Sequence, residues 1–265
     1  MASSTFELPA RGSFPTVELA KKAPKQADAL LIATFAGEEG LEVPGTSLLG
    51  SSALRSTYEA LTAVGATGKA GEIIKVPAPH KAGAAQIVAL GLGDVEALDD
   101  EALRRAAGTA ARATTGVGTV ATTLADFGIT AAVEGLILGG YAYRGIRSTE
   151  LKDEQQPATF VLVADKSASD EFEAARIVAE SVLISRDLVN TPANELYPES
   201  YAAFLSSQAK EVSLDVEVLD EKQLEKQGFG GILAVGKGSA RPPRLVRLSW
   251  KPKKATKHVA LVGTV

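Results

Sequence analysis

The 265-residue sequence contains no cysteine, only two histidines and a single tryptophan. The lack of cysteine excludes disulfide bonds, thiolate zinc sites and a cysteine nucleophile from this chain. The histidines, His80 and His258, are far apart, and neither has another ligand-type residue at metal-binding spacing. The HExxH and GxSxG motifs are also absent. Each histidine is therefore interpreted as an ordinary loop or strand-edge residue.

Long hydrophobic runs are also missing. No apolar segment approaches the roughly 20 residues of a membrane-spanning helix, and residues 1–22 lack the continuous hydrophobic core of a secretory signal. The formal net charge is −4, which provides no general attraction to nucleic acid or membranes. Composition is otherwise typical of a globular protein, with 45% hydrophobic and 23% charged residues. The sequence predicts a soluble, cytoplasmic protein.

Acidic residues are absent after Glu225, whereas nine lysines and arginines lie between Lys226 and Val265. A site for two divalent cations requires clustered carboxylates, so this last segment cannot hold one by itself. The basic run at 244–258 could instead form a nucleic-acid patch. We favour a strand with solvated arginines followed by a basic loop. Trp250 provides no aromatic stacking platform, and nucleic-acid binding is predicted to be weak.

The remaining sequence alternates between strand and helix patterns, which predicts an α/β fold with a parallel or mixed sheet. The predicted strands are 29–35, 72–76, 86–92, 118–124 and 159–164, and the predicted helices are 49–64, 99–114 and 129–142. A polar loop is predicted at 143–158, followed by a long helix at 169–189. The predicted domains are an N-terminal α/β domain (1–165), a linker helix (166–189) and a second α/β domain (190–265).

The second domain is predicted to contain helices at 198–210 and 220–227. Its predicted strands are 214–219, 231–235, 244–250 and 258–263.

Two glycine patterns suggest nucleotide binding as one possible function class. Gly231, Gly236 and Lys237 have the spacing of a phosphate loop, but Gly238 replaces the required serine or threonine. We interpret 231–235 as a buried strand. The segment GLGDVE at 91–96 begins like a dinucleotide-binding turn, yet Glu96 replaces the third glycine. A tight strand-to-helix turn is the favoured interpretation.

The segment RDLVNTPANELYPES at 186–200 has a structural explanation. Pro192 disfavours helical backbone at Thr191, so the preceding helix must end there. Asn190 and Asn194 tolerate turn conformations. Pro198 suits the first position of a new helix.

The same segment also carries a family resemblance. SRDLVNTPANELYPES (185–200), GFGGILAVGKGSARPPRLVRLSW (228–250) and HVALVG (258–263) resemble, in order and spacing, the approach to the active site in the leucine aminopeptidase, or cytosol aminopeptidase, family. VEGLILGGYAYRGIRS (133–148) resembles the end of the family's N-terminal domain. The resemblance is weak before residue 130 and strong after residue 180.

The resemblance implies a hexameric exopeptidase that releases N-terminal amino acids, leucine-like ones in particular, from peptides. It also implies an N-terminal domain similar to macro domains, a linker helix and an α/β/α catalytic domain. Members of the family bind two divalent cations, zinc or manganese, in the catalytic domain.

The sequence departs from the family pattern at its end. Thr264 occupies the position of a metal-ligating lysine, and the later ligand segments are not in this sequence. Tyr197 replaces a threonine common in the family. The chain is therefore expected to contain the truncated first half of the catalytic domain and to be inactive alone. No catalytic, metal-binding or substrate-binding residue is assigned to it.

In such a half domain, several apolar residues are expected to be exposed, namely Leu245, Val246, Leu248, Val259, Leu261 and Val262. The alternative function is a non-catalytic binding or assembly module, possibly one that binds nucleic acid.

Overall fold

A computed structural model describes residues 6–145 and 155–263. The chain forms two compact units. The first unit is Gly12–Arg186, and the second combines Met1–Arg11 with Asp187–Val265. Within the described ranges, no helix is both long and apolar enough to cross a bilayer. The assignment of 166–189 as a linker between two domains stays a prediction.

The first unit is built around a seven-stranded sheet. Its strands are β1 (Thr16–Ala20), β2 (Ala27–Gly37), β3 (Gly40–Glu42), β4 (Ile73–Pro77), β5 (Ala84–Gly91), β6 (Thr119–Thr122) and β7 (Thr159–Val163). The order is β1-β7-β6-β2-β5-β4, with β3 paired to the end of β2. The first five strands in this order are mutually parallel, and β4 is antiparallel to β5. The mixed α/β class predicted from the sequence is therefore confirmed.

Four helices cover the two faces of this sheet. They are α1 (Ser51–Ala63), α2 (Asp100–Ala113), α3 (Ile129–Gly139) and α4 (Ser169–Asn190). Alternate residues of β2 face opposite sides, as the period of a strand requires. Leu31 and Ala33 pack in the core with α2, α3 and α4, whereas Leu30 and Ile32 pack with α1. β2 is consequently buried on both faces, which explains its nearly continuous apolar sequence.

Small residues allow α2 and α3 to pack closely. A Cβ atom on Gly139 would overlap the Cα of Gly108, and one on Gly135 would overlap the carbonyl oxygen of Arg104. Glycine is required at both of these α3 positions because backbone atoms occupy the space of a side chain.

The start of α2 is fixed by Asp99, whose Oδ1 accepts a hydrogen bond of 2.7 Å from the amide of Ala102.

The second unit contains a smaller sheet. Its elements are α5 (Pro198–Glu211), β8 (Asp215–Leu219), α6 (Glu221–Lys226), α7 (Gly230–Gly236) and β9 (Leu245–Ser249). Strands β8 and β9 pair antiparallel, from Asp215 opposite Ser249 to Leu219 opposite Leu245. Neither strand pairs with any other described strand.

Most predicted elements are confirmed with small shifts at their ends, but two predicted strands are wrong. Residues 231–235 lie in α7 and are exposed or only half-buried, whereas a buried strand was predicted. Residues 258–263 form no strand, because no described segment pairs with them. The short strands β1 and β3 were not predicted. Residues 146–154 of the predicted loop lie outside the described residues.

Candidate functional site

The segment 186–200 forms a helix end, a turn and a helix start. The amide and the hydroxyl of Thr191 both donate to the carbonyl oxygen of Asp187, over 3.0 and 2.7 Å. The amide of Glu195 donates to the carbonyl of Pro192 at 2.9 Å. α4 ends at Asn190, as Pro192 requires. The predicted helix end and the predicted start of a new helix at Pro198 are confirmed, although Asn190 is the last residue of α4 and not part of the turn.

Ser200 holds the start of α5. Its hydroxyl accepts a hydrogen bond from the amide of Tyr197 at 2.9 Å and donates one to the carbonyl of Glu195 at 2.8 Å. Pro198 occupies the first helical position. The replacement of the family's threonine by Tyr197 therefore leaves this helix start with side-chain hydrogen bonding, supplied by Ser200 from inside the helix.

Arg241 connects this turn to the loop before β9. Its guanidinium carbon lies 3.5 Å from the centroid of the Tyr197 ring, a cation–π contact. Its Nη2 donates to the carbonyl oxygen of Asn194 at 3.2 Å. The sequence analysis did not find this pair, because the two side chains are far apart in the chain and neither belongs to a local motif.

Arg244 forms a second connection in the same unit. Its side chain is only 14% exposed, and its Nη1 lies 2.8 Å from a carboxylate oxygen of Glu221. Its Nη2 lies 3.8 Å from Glu199. These carboxylates belong to the first turns of α6 and α5, so one guanidinium joins two helix starts to β9.

A cleft of about 530 Å³ lies between α6, α7 and the loop before β9. Its lining residues include two acidic residues, Glu221 and Glu225, and two basic residues, Lys222 and Lys237. Glu221 is already paired with Arg244. Within residues 6–145 and 155–263, no three His, Cys, Asp or Glu side chains form a group that could hold a metal ion. The described residues therefore do not fit a two-metal centre.

The structure explains both glycine patterns without a phosphate. The amides of Gly91 and Gly93 donate to the carbonyls of Glu72 and Gly68, at 2.8 and 2.9 Å. A Cβ on Gly91 would overlap the carbonyl oxygen of Lys69. These glycines therefore accommodate the neighbouring 67–72 loop, and their amides are already used.

The segment with the phosphate-loop spacing forms a helix. Residues 231–236 belong to α7, where the amide of Leu233 donates to Phe229 and that of Lys237 donates to Leu233. Since these amides are engaged within the helix, they cannot form a loop around a phosphate. The sequence analysis rejected a phosphate loop because it interpreted 231–235 as a buried strand, and that interpretation is wrong. The segment is a helix, so it is still not a phosphate loop.

Both histidines are exposed, His80 in a turn and His258 in an irregular segment. In the basic run, Arg247 pairs with Glu217 at 2.6 Å and Lys251 with Asp215 at 3.6 Å, in addition to the contacts of Arg244. Leu248, Val259, Leu261 and Val262 are 42%, 77%, 95% and 97% exposed, as expected, while Leu245 and Val246 are half-buried. Thr264 and Val265 lie outside the described residues.

Two sequence models of one family match this chain. The N-terminal domain of the cytosol aminopeptidase family matches residues 34–150, and the catalytic domain of that family matches residues 183–265. A probable cytosol aminopeptidase of Corynebacterium diphtheriae is 52% identical over 263 residues, which are 98% of this chain and 53% of that protein. One from Rhodococcus jostii is 42% identical, over 96% of this chain and 52% of its own length. The chain spans about half the length of the curated relatives it matches.

Solved structures share the fold of this chain. The bottromycin maturation enzyme BotP superposes with a TM-score of 0.70 at 27% identity, over 86% of this chain and 47% of the enzyme. BotP has also been solved in complex with Mn. The cytosol aminopeptidase of Coxiella burnetii shares the fold, with a TM-score of 0.61 at 24% identity, over 90% of this chain and 47% of that protein. This chain belongs to the cytosol aminopeptidase family, with residues 34–150 in its N-terminal domain and 183–265 in its catalytic domain.

Proposed function

We propose that this chain provides the N-terminal domain and the first part of the catalytic domain of a leucyl aminopeptidase, which releases N-terminal amino acids from peptides. The observation that supports this most is the 52% identity with the C. diphtheriae relative across nearly the whole chain. The relatives are named for this activity, and both domains are matched in the expected order.

The proposed enzyme uses two divalent cations, manganese or zinc, and acts as a cytoplasmic hexamer on peptide substrates. The complex of BotP with Mn supports metal use in a related fold. The described residues do not fit such a centre, and the proposal assigns no catalytic, metal-binding or substrate-binding residue to this chain. In this proposal, the contacts of Arg241 and Arg244 hold the second unit in the shape on which the rest of the catalytic domain is built.

A polypeptide of these 265 residues is accordingly proposed to be inactive alone. The alternative of a nucleic-acid-binding module has less support, because Arg247 and Lys251 are already paired with carboxylates. The basic run therefore has fewer cations free to contact phosphate than the sequence suggests.

The test compares residues 1–265 with a fusion in which they are followed by the C-terminal half of the C. diphtheriae relative. Hydrolysis of leucine-p-nitroanilide is measured with added Mn²⁺ or Zn²⁺, and the intact relative is the control. We expect residues 1–265 to match the metal-only blank, and the fusion to be active and to lose activity with a chelator.

Two outcomes would contradict the proposal. Turnover above the blank by residues 1–265, in a preparation of the correct intact mass, would show that the chain is active alone. A fusion that folds cooperatively but cleaves no aminoacyl substrate would argue against the aminopeptidase assignment.

A further inference from the structure

Helix α4 presents two apolar faces. The first contains Phe172, Ala175, Ala179 and Leu183, which are at most 4% exposed and belong to the main core. A different side of the helix carries six small or apolar residues at helical spacing, namely Ala174, Ile177, Val178, Ser181, Val182 and Ser185. We call these six residues the second apolar face. Ile177, Val178 and Val182 in this face are 56%, 52% and 40% exposed.

The serines do not make the second apolar face polar. The hydroxyl of Ser181 donates to the carbonyl of Ile177 at 2.7 Å, and that of Ser185 donates to the carbonyl of Ser181 at 3.2 Å. Both hydroxyl protons are thus used within the helix. A surface helix normally places charged residues opposite its buried stripe. The second apolar face has no charged residue at any of its six positions, so it has the composition of a contact surface.

We propose that the second apolar face is a docking surface for the polypeptide that forms the remaining half of the catalytic domain in the relatives. The match with the C. diphtheriae relative covers 98% of this chain but only 53% of the relative. The relative therefore contains further polypeptide of nearly the same length as the matched part. The catalytic-domain match begins at residue 183, inside α4. The end of this helix therefore already belongs to the domain that the further polypeptide completes.

The size of the face argues against a dimer of the chain held by this face alone. From Ala174 to Ser185 the helix rises about 17 Å, which with one helix side of about 10 Å gives on the order of 200 Å². A stable interface between separate proteins buries about 800 Å² per partner. The second apolar face is too small to hold a dimer by itself, but it suits one contact among many within a single folded domain.

The inference rests on the proposed function, and the test separates the two. Because the chain has no cysteine, a single Ser181→Cys reports access to the second apolar face through its rate of maleimide labelling. Ser56→Cys is the matched control, since Ser56 is an exposed serine on α1. We expect labelling of S181C to be at least about tenfold slower in the fusion than in residues 1–265, and labelling of S56C to be unchanged.

Equal labelling of S181C in an active fusion would overturn the inference and leave the proposed function intact. Protection in an inactive fusion would keep the inference and contradict the proposed function. Protection that grows with protein concentration, in residues 1–265 or in the fusion, would identify a second copy as the occupant and overturn the inference.

A further variant does not depend on the fusion. Val178→Asp in residues 1–265 is expected to leave the melting temperature unchanged within about 1 °C, because the side chain is already half exposed to water. A clear loss of stability would show that this chain itself covers the face, which also overturns the inference.

Discussion

The two units of this chain differ in how much core they contain. In Gly12–Arg186, apolar side chains fill a layer on each face of a seven-stranded sheet. The second unit has a two-stranded sheet, and few of its apolar residues are buried: Leu8, Ala202, Phe204, Ala209, Leu219 and Leu224. Two strands alone are marginally stable in water. The region that matches a catalytic domain therefore has much less internal packing than the region that matches the N-terminal domain.

The largest expected effect tests this difference directly. Phe204→Ala removes the largest buried side chain of the second unit, at a cost of about 3–5 kcal/mol. We expect amide protection to disappear across residues 198–249 and to persist across residues 27–139, as measured by hydrogen exchange with mass spectrometry.

Phe160→Ala is the matched control in the first unit, where Phe160 is fully buried. It should cost a similar free energy but leave the seven-stranded sheet protected, because many other buried contacts remain. Loss of protection in the first unit to the same extent would contradict the comparison.

A smaller effect is expected from the polar contacts of the second unit. Arg244→Ala removes the contacts with Glu221 and Glu199 and should lower the free energy of unfolding by about 2 kcal/mol, because the guanidinium is largely buried. Arg247→Ala removes an exposed pair with Glu217 and should cost at most about 0.5 kcal/mol. Urea denaturation of both variants checks the difference, and equal costs would show that Arg244 is not a connecting residue.

An effect smaller than that of Arg244→Ala is expected in the first unit, at the 67–72 loop. Partial desolvation would raise the pKa of Glu72, but hydrogen bonds from the amides of Thr67 and Gly68 and from the Thr67 hydroxyl outweigh it, so the pKa is lowered. A lowered carboxylate pKa stabilises the fold above the ordinary pKa, and the stabilisation is lost as the pH falls through the lowered value. Glu72→Gln should cost about 1 kcal/mol at pH 7.

This cost should shrink as the pH falls below about 4.5, the ordinary value for glutamate. Glu59→Gln is the control, because Glu59 forms an exposed pair with Arg55. Thermal melts of the three proteins between about pH 7 and pH 3 measure the effect. A cost for E72Q that does not vary with pH would show that the charge of Glu72 is unimportant.

The sequence predicted those elements whose signals are local. The apolar run of β2 and the acidic start of α2 identify these elements because burial on both faces and helix capping depend on neighbouring residues. β1 was missed because its five residues form an edge strand whose partner, β7, lies far along the chain. Residues 231–235 were misassigned because a short aliphatic run suits a helix or a strand, and only the pairing partners decide between them.

The candidate site shows the same limit. The turn at 190–198 could be predicted, since Pro192 and Pro198 restrict their own backbone and that of the residues before them. The contacts of Arg241 with Tyr197 and of Arg244 with Glu221 could not, because each joins segments that only the tertiary fold brings together.

The pairing of β1 with β7 has a consequence for synthesis on the ribosome. Thr16 lies opposite Thr159 in that parallel pair, so β1 is made long before β7, the one strand that pairs with it among the described residues. At about 5–20 residues per second, the delay is on the order of ten seconds. During this time β2, β5 and β4 can already pair with one another, whereas β1 must wait as an unpaired segment. The nascent chain should therefore complete its sheet at β1 last, although β1 is the first strand to leave the ribosome.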